Sequence, residues 1–244
     1  MSFISSILGS FVRLIYNILQ GSMPEEPASI SFFALSIIIA TIIIKVLILP
    51  LNISQTKNQK KMAKLQPQIM ELQRKYKNDP QTLAAKQQKL YKESDYKMSA
   101  GCLPMIITLV VLMAFYRVFL YPEQYIFTEP GVYATINKNF FHIIDLDLPD
   151  KSLVMPLVAA VTTFLVSFIA SKNPASQNAG PGADQAQSMM KSMMVVMPIM
   201  IFMMGRNFAA GLVIYWTVSN LFAIVQQLIT NKIVKDEVEE VNEK

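Results

Sequence analysis

The sequence predicts an all-α integral membrane protein: five transmembrane helices, an N-terminal interfacial amphipathic helix and a cytoplasmic helical hairpin. Three observations carry that prediction. Hydrophobic residues make up 52% of the 244 positions and charged ones only 16%, a balance too apolar for an ordinary soluble domain. Five runs approach the ~20 mostly apolar residues that a span needs: 31–51, 101–121, 153–171, 188–204 and 209–229. None alternates as barrel strands must, and helices satisfy their own backbone hydrogen bonds in hydrocarbon.

The elements follow in order. Residues 1–30 hold the first helix and a linker. Phe3, Ile7, Phe11, Leu14, Ile15, Ile18 and Leu19 recur near helical spacing, with Ser5, Ser10, Arg13 and Asn17 elsewhere on the wheel, the pattern of an interfacial amphipathic helix. A basic leader, a small-residue cleavage site and a lipobox cysteine are all missing from it. The first span, 31–51, is followed by a loop at 52–100 with eleven Lys/Arg against four acids. That excess places the loop in the cytoplasm, whereas 122–152, with two lysines and five acids, suits the outer side. The N-terminus is then outside and the C-terminus inside.

Within the basic loop, Met62, Leu65, Ile69, Leu72 and Tyr76 keep 3-4-3-4 spacing, the seam of a helix packing on a partner. Asn78-Asp79-Pro80 ends it, and Leu83, Leu90 and Tyr91 mark a shorter return helix. Pro67 is positioned to kink the first arm. Lys57, Lys60, Lys61, Lys64, Arg74 and Lys75 flank the seam, either as a solvated face or as a docking surface for lipid, ribosome or targeting factors. After the span at 101–121 and the outer loop comes the third span, 153–171. The Gly/Pro/Ala/Asn-rich loop 172–187 leads to the fourth span, 188–204, and a tight turn leads to the fifth, 209–229. A tail at 230–244 ends acidic.

Two spans carry unusual residues. Lys45 sits in an otherwise apolar run, where a central lysine costs ~2.5–3.5 kcal/mol and each Ile, Leu, Val or Phe returns ~0.3–0.6. The span inserts despite this residue. Lys45 either snorkels to the inner headgroups or faces a water-filled cavity between helices. Thr41 lies one turn away on the same face. Thr163 and Ser167 on the third span, and Trp216, Ser219 and Asn220 on the fifth, are candidates to share that cavity, or to serve as interhelical packing. The fourth span holds half of the sixteen methionines. Met193, Met197, Met200 and Met204 offer an adaptable apolar surface for varied hydrophobic segments, or ordinary lipid-facing packing.

Recognisable catalytic motifs are absent: no phosphate loop, zinc-binding HExxH or nucleophile elbow occurs. The single histidine, His142, lies in the outer loop with no nucleophile evident beside it in sequence, and the spans contain no Asp, Glu or His. An enzyme is not expected, and neither a metal nor a cofactor is called for.

The succession SIIIATIIIKVLILPL (36–51), LQPQIMELQRKYKNDPQ (65–81), AGCLPMIITLVVLMAFY (100–116) and GLVIYWTVSNLFAIVQQ (211–227) resembles the YidC/Oxa membrane protein insertases, in the short bacterial form without a large extracytoplasmic domain. The resemblance covers nearly the whole chain. It implies a five-helix core enclosing a hydrophilic groove, closed outside and open to cytoplasm and lipid. It places the groove's positive residue at Lys45, where the family usually has arginine, and the aromatic of the fifth span at Trp216. It also implies an insertase and chaperone of the bacterial cytoplasmic membrane that guides hydrophobic segments of new proteins into the bilayer. Nascent membrane proteins and anionic lipids are the expected partners. The ribosome, signal recognition particle components and the Sec translocon are further candidates, and no specific nucleic-acid sequence is expected. The rival reading is a small-solute transporter or channel using the same polar cavity; paired inverted repeats, which would favour it, are not evident.

Overall fold

A computed structural model describes residues 2–94, 96, 98–171 and 183–242. Nine helices occur among them: α1 (Ser2–Ser22), α2 (Phe32–Lys75), α3 (Pro80–Glu93), α4 (Met98–Leu120), α5 (Pro122–Tyr125), α6 (Val132–Thr135), α7 (Val154–Ser171), α8 (Ala183–Gly205) and α9 (Ala210–Asn242). No strand forms among the described residues; the only ladder-like contacts are isolated bridges at Ile30–Phe140 and Phe140–Ile143. Four helices are long and apolar enough to cross a membrane: Ser2–Ser22, Phe32–Met62, Val154–Ser171 and Ala210–Thr230. Two shorter apolar stretches, Ile106–Leu120 and Ser192–Gly205, accompany them. The protein is an all-α membrane protein.

Two compact units divide the chain. The first comprises Met1–Ile48, Ile106–Thr163 and Met197–Ala223. Its core is built where small residues let helix backbones approach: Ala34 and Ala40 on α2, Ala114 on α4, Ala159 on α7 and Ala210 on α9 are all buried. Aromatic rings fill the space between. Phe115 stacks on Tyr215 with centroids 4.3 Å apart, and Phe127 receives the edges of Tyr16 and Phe33 at 5.0 and 5.8 Å.

Helix α1 packs into this core differently from a simple amphipathic strip. Leu8, Val12, Ile15, Tyr16 and Leu19 are buried together with Ser5, whose hydroxyl donates to Ala114 O at 3.4 Å. Arg13 lies over the Phe127 ring at 4.6 Å and pairs with Glu129 at 3.4 Å. Ser5 and Arg13 therefore stand on the protein side of the wheel. Phe3, Ile7, Leu14 and Ile18 form a second apolar arc left exposed. The sequence pattern merged two arcs because both are apolar and only packing tells them apart. Gly9 permits the docking: a Cβ there would lie 2.0 Å from Tyr125 O.

The connecting segments satisfy helix ends that would otherwise carry orphan amides. The Ser31 hydroxyl accepts from Ala34 N at 3.1 Å and the Glu26 carboxylate accepts from Phe32 N, together capping α2. Leu148 O and Leu146 O accept from Ala210 N and Gly211 N at 2.9 and 3.0 Å, seating the start of α9. Asp150, almost fully buried, accepts from Ser152 N at 2.8 Å and Met155 N at 2.9 Å at the start of α7.

The second unit comprises Leu49–Met105, Phe164–Val196 and Ile224–Lys244. Helix α2 runs unbroken through Pro50 and Pro67 for 44 residues. The first span and the first hairpin arm are thus one helix. Each proline removes a single backbone donor, a cost that a long helix with intact neighbouring turns absorbs. The helix ends at Lys75, and α3 starts at Pro80, with the Asp79 carboxylate accepting from Thr82 N at 3.0 Å. Leu65 and Ile69 of the seam are buried, whereas no residue of α3 is. Asn52 Nδ2 donates to Gln226 Oε1 at 3.2 Å, joining α2 to α9 within this unit.

Candidate functional site

On α2, Ile37, Ala40 and Thr41 are buried, Ile42, Ile43, Val46 and Leu47 are exposed, and Ile44, Lys45 and Ile48 are half-buried. Lys45 follows Ile37 and Thr41 at four-residue steps, so it continues the protein-facing side of the helix and not the exposed apolar side. No carboxylate lies within ion-pairing distance of it among the described residues. The Thr41 hydroxyl is turned back on its own helix, donating to Ile37 O at 2.7 Å.

Thr162 and Thr163 of α7 and Trp216 and Asn220 of α9 form one connected polar cluster, whereas the buried Ser219 hydroxyl has no hydrogen-bond partner among the described residues. Thr163 Oγ1 donates to Ala159 O at 2.7 Å and accepts from Trp216 Nε1 at 3.2 Å and Asn220 Nδ2 at 2.9 Å. One donor and two acceptor positions are then all used, the full capacity of a hydroxyl. Asn220 Nδ2 also donates to Thr162 Oγ1 at 3.2 Å, and that hydroxyl donates to the carbonyls of Val158 and Ala159. Trp216 and Asn220 are themselves half-buried, while Thr162, Thr163 and Ser219 are buried. Sequence reasoning missed Thr162. Its signal was the adjacent Thr-Thr pair, which gives one side-chain amide two hydroxyls to reach.

Ser167 is half-buried on the part of α7 that belongs to the second unit, outside this cluster. On α8, Met200 and Met204 are exposed and Met197 is half-buried against the core. Met204 and Trp216 line one small cleft of about 30 Å3, with Ala159, Phe208, Leu212 and Val213. Met193, exposed, lies in the second unit. The basic residues Lys57, Lys61, Lys64, Arg74 and Lys75 are exposed along α2 and Lys60 is half-buried.

His142 does have a hydroxyl beside it: Ser152 Oγ stands 2.9 Å from Nε2. The arrangement is a helix cap and not an activated nucleophile. Ser152 Oγ donates to Asp150 Oδ1 at 2.6 Å, and Asp150 Oδ2 lies 3.4 Å from the same ring nitrogen. A relay needs the two partners on opposite nitrogens of the ring. Burial pushes the Asp150 carboxyl up, but hydrogen bonds from Ser152, Met155 and His142 outweigh it and hold the group below the ordinary carboxylate range. Among the described residues, no group of His, Cys, Asp and Glu is arranged to hold a metal ion.

Comparison with known proteins adds the family. The family described as 60Kd inner membrane protein matches residues 27–237. A membrane protein insertase YidC of Clostridium perfringens is 36% identical over 195 residues, covering 80% of this chain and 76% of the relative. One from Fusobacterium nucleatum is 32% identical over 232 residues, covering 95% and 98%. Another from Alkalihalophilus pseudofirmus is 36% identical over 205 residues, covering 81% and 72%.

Proposed function

From the premise that this chain belongs to the YidC/Oxa family of membrane protein insertases, we propose the route by which it inserts its substrates. It is a multi-pass protein of the bacterial membrane, and nascent membrane proteins are its clients. The small-solute transporter is not supported by any of these relatives.

Lys45 and the Trp216–Thr163–Asn220 cluster mark the polar side of a groove. An ammonium on the protein-facing side of α2, with no carboxylate to neutralise it, attracts the acidic or polar residues of an incoming tail. The groove shortens the path of that tail through hydrocarbon. The apolar segment meanwhile slides along the α8 methionines, exposed Met193, Met200 and Met204 and half-buried Met197, whose flexible thioether chains tolerate varied shapes. Burial of the client's helix in lipid supplies the driving free energy, about 0.8 kcal/mol per CH2. The single observation that carries this reading is the position of Lys45 in step with buried Ile37 and Thr41.

The same reading places the N-terminus outside and the tail in the cytoplasm. The exposed basic face of α2 docks anionic headgroups and serves as the candidate contact for the ribosome, signal recognition particle components or the Sec translocon. No catalytic step is assigned.

Reconstitution in proteoliposomes tests the role of Lys45. Lys45→Ala is expected to lower insertion of a single-span client with an acidic tail about tenfold, the effect of ~1.4 kcal/mol of lost attraction. Lys45→Arg should preserve insertion and Lys45→Glu should reduce it further. Equal activity of all four proteins would remove Lys45 from the mechanism.

A further inference from the structure

Where α4 ends and α9 begins, a cavity of about 730 Å3 opens that the insertion route does not use. Its size falls in the range of small-ligand sites. The rings of Tyr116, Phe119, Tyr121, Tyr133 and Phe208 line it, the carboxylates of Glu123 and Asp147 stand among them, and the lining includes no lysine or arginine.

One wall already holds an ammonium. Lys138 Nζ lies 3.8 Å from the centre of the Tyr133 ring and 2.7 Å from Asp147 Oδ2, while the Tyr133 hydroxyl donates to the other oxygen of the same carboxylate. Ring face and carboxylate together are the usual means of recognising a cationic nitrogen. Burial, together with the negative charges of Asp147, Asp145 and Glu123, pushes the Tyr133 phenol far up, consistent with a negative potential at that end. Glu123 has no ion-pair partner among the described residues. Lining the cavity with Tyr121 and Tyr116, it offers the same residue types with no cation paired to it among the described residues.

What carries that cation follows from α4. Ile106, Leu109, Met113 and Leu120 are exposed at helical spacing, and Tyr116 falls on the same stripe. Tyr116 and Leu120 also line the cavity, so the apolar stripe leads into it. We propose that this cavity binds the ammonium headgroup of a phospholipid whose acyl chains lie along α4.

The test uses the full chain in nanodiscs of equimolar phosphatidylethanolamine and phosphatidylglycerol, with native mass spectrometry of the lipids it retains. Phosphatidylethanolamine is expected to be retained about fivefold over phosphatidylglycerol, and phosphatidylcholine, which keeps the ammonium, should replace it. Glu123→Gln and Tyr121→Ala should each abolish the preference and leave client insertion intact. Tyr121→Phe, which keeps the ring, should retain the preference. Equal retention of the two lipids by the unaltered protein, or a preference that survives both Glu123→Gln and Tyr121→Ala, would overturn the proposal.

Discussion

Thr163 shows how much one hydroxyl can organise: it fixes Trp216 and Asn220 of α9 against α7 while satisfying itself on Ala159. A double-mutant cycle of Thr163→Val and Asn220→Ala, read by thermal unfolding in detergent, should give a coupling of about 0.6–2 kcal/mol; additive effects would show that the contact carries no energy. Asp150 gives a pH-dependent counterpart. Its folded pKa lies below its unfolded value, so its contribution is fully present above the unfolded value of about 3.9 and is lost as pH falls through the folded one. Asp150→Asn should cost about 1 kcal/mol at neutral pH, and the difference from the unaltered protein should shrink on acidification below pH ~4. At this scale the sequence was partly legible. Trp216, Asn220 and Thr163 stood out as polar residues in apolar runs, and the structure brings them together. The Ser152–His142 contact did not, because partners ten residues apart across an irregular loop leave no periodic trace, and Thr162, which shares the Asn220 amide, was passed over beside Thr163.

Among the elements, α1 depends on a close approach that only glycine allows. Gly9→Val places side-chain atoms where Tyr125 O now lies and should destabilise the packed form by about 1–3 kcal/mol or more, releasing α1 to protease while the rest of the chain resists; unchanged protection would show that α1 docks otherwise. Helix α2 makes the opposite point. Its apolar run and its seam were both readable, yet their fusion into one helix was not. Pro50 and Pro67 are local signals of interruption, and the intact turns around them outweigh that signal. For α3 the sequence marked Asn78-Asp79-Pro80 only as the end of the preceding arm, while the structure shows Asp79 and Pro80 also starting α3, as a capping carboxylate and a first-turn proline. With no buried residue, α3 should exchange its amide hydrogens faster than the 33–41 stretch of α2; equal protection would mean that a partner covers it.

For the whole molecule, the all-α membrane class was legible because hydrocarbon imposes a uniform requirement on every span. A groove is not uniform. The proposed one depends on which side of each helix meets its neighbours, and on α2 that shows only in burial: Ile37 and Thr41 are buried and Lys45 half-buried, whereas Ile42, Val46 and Leu47 are exposed. In the proposed route, one polar face lowers the barrier for the client's hydrophilic part, while apolar surface on α8 guides the rest. The most direct measurement is site-specific photocrosslinking to a stalled nascent single-span client, from position 216 on the inner side of α9 and position 221 on its exposed side. Passage of the client's polar tail through the proposed groove requires it to crosslink at 216 and not at 221. Tail crosslinks at 221 alone, or at both positions equally, would contradict it.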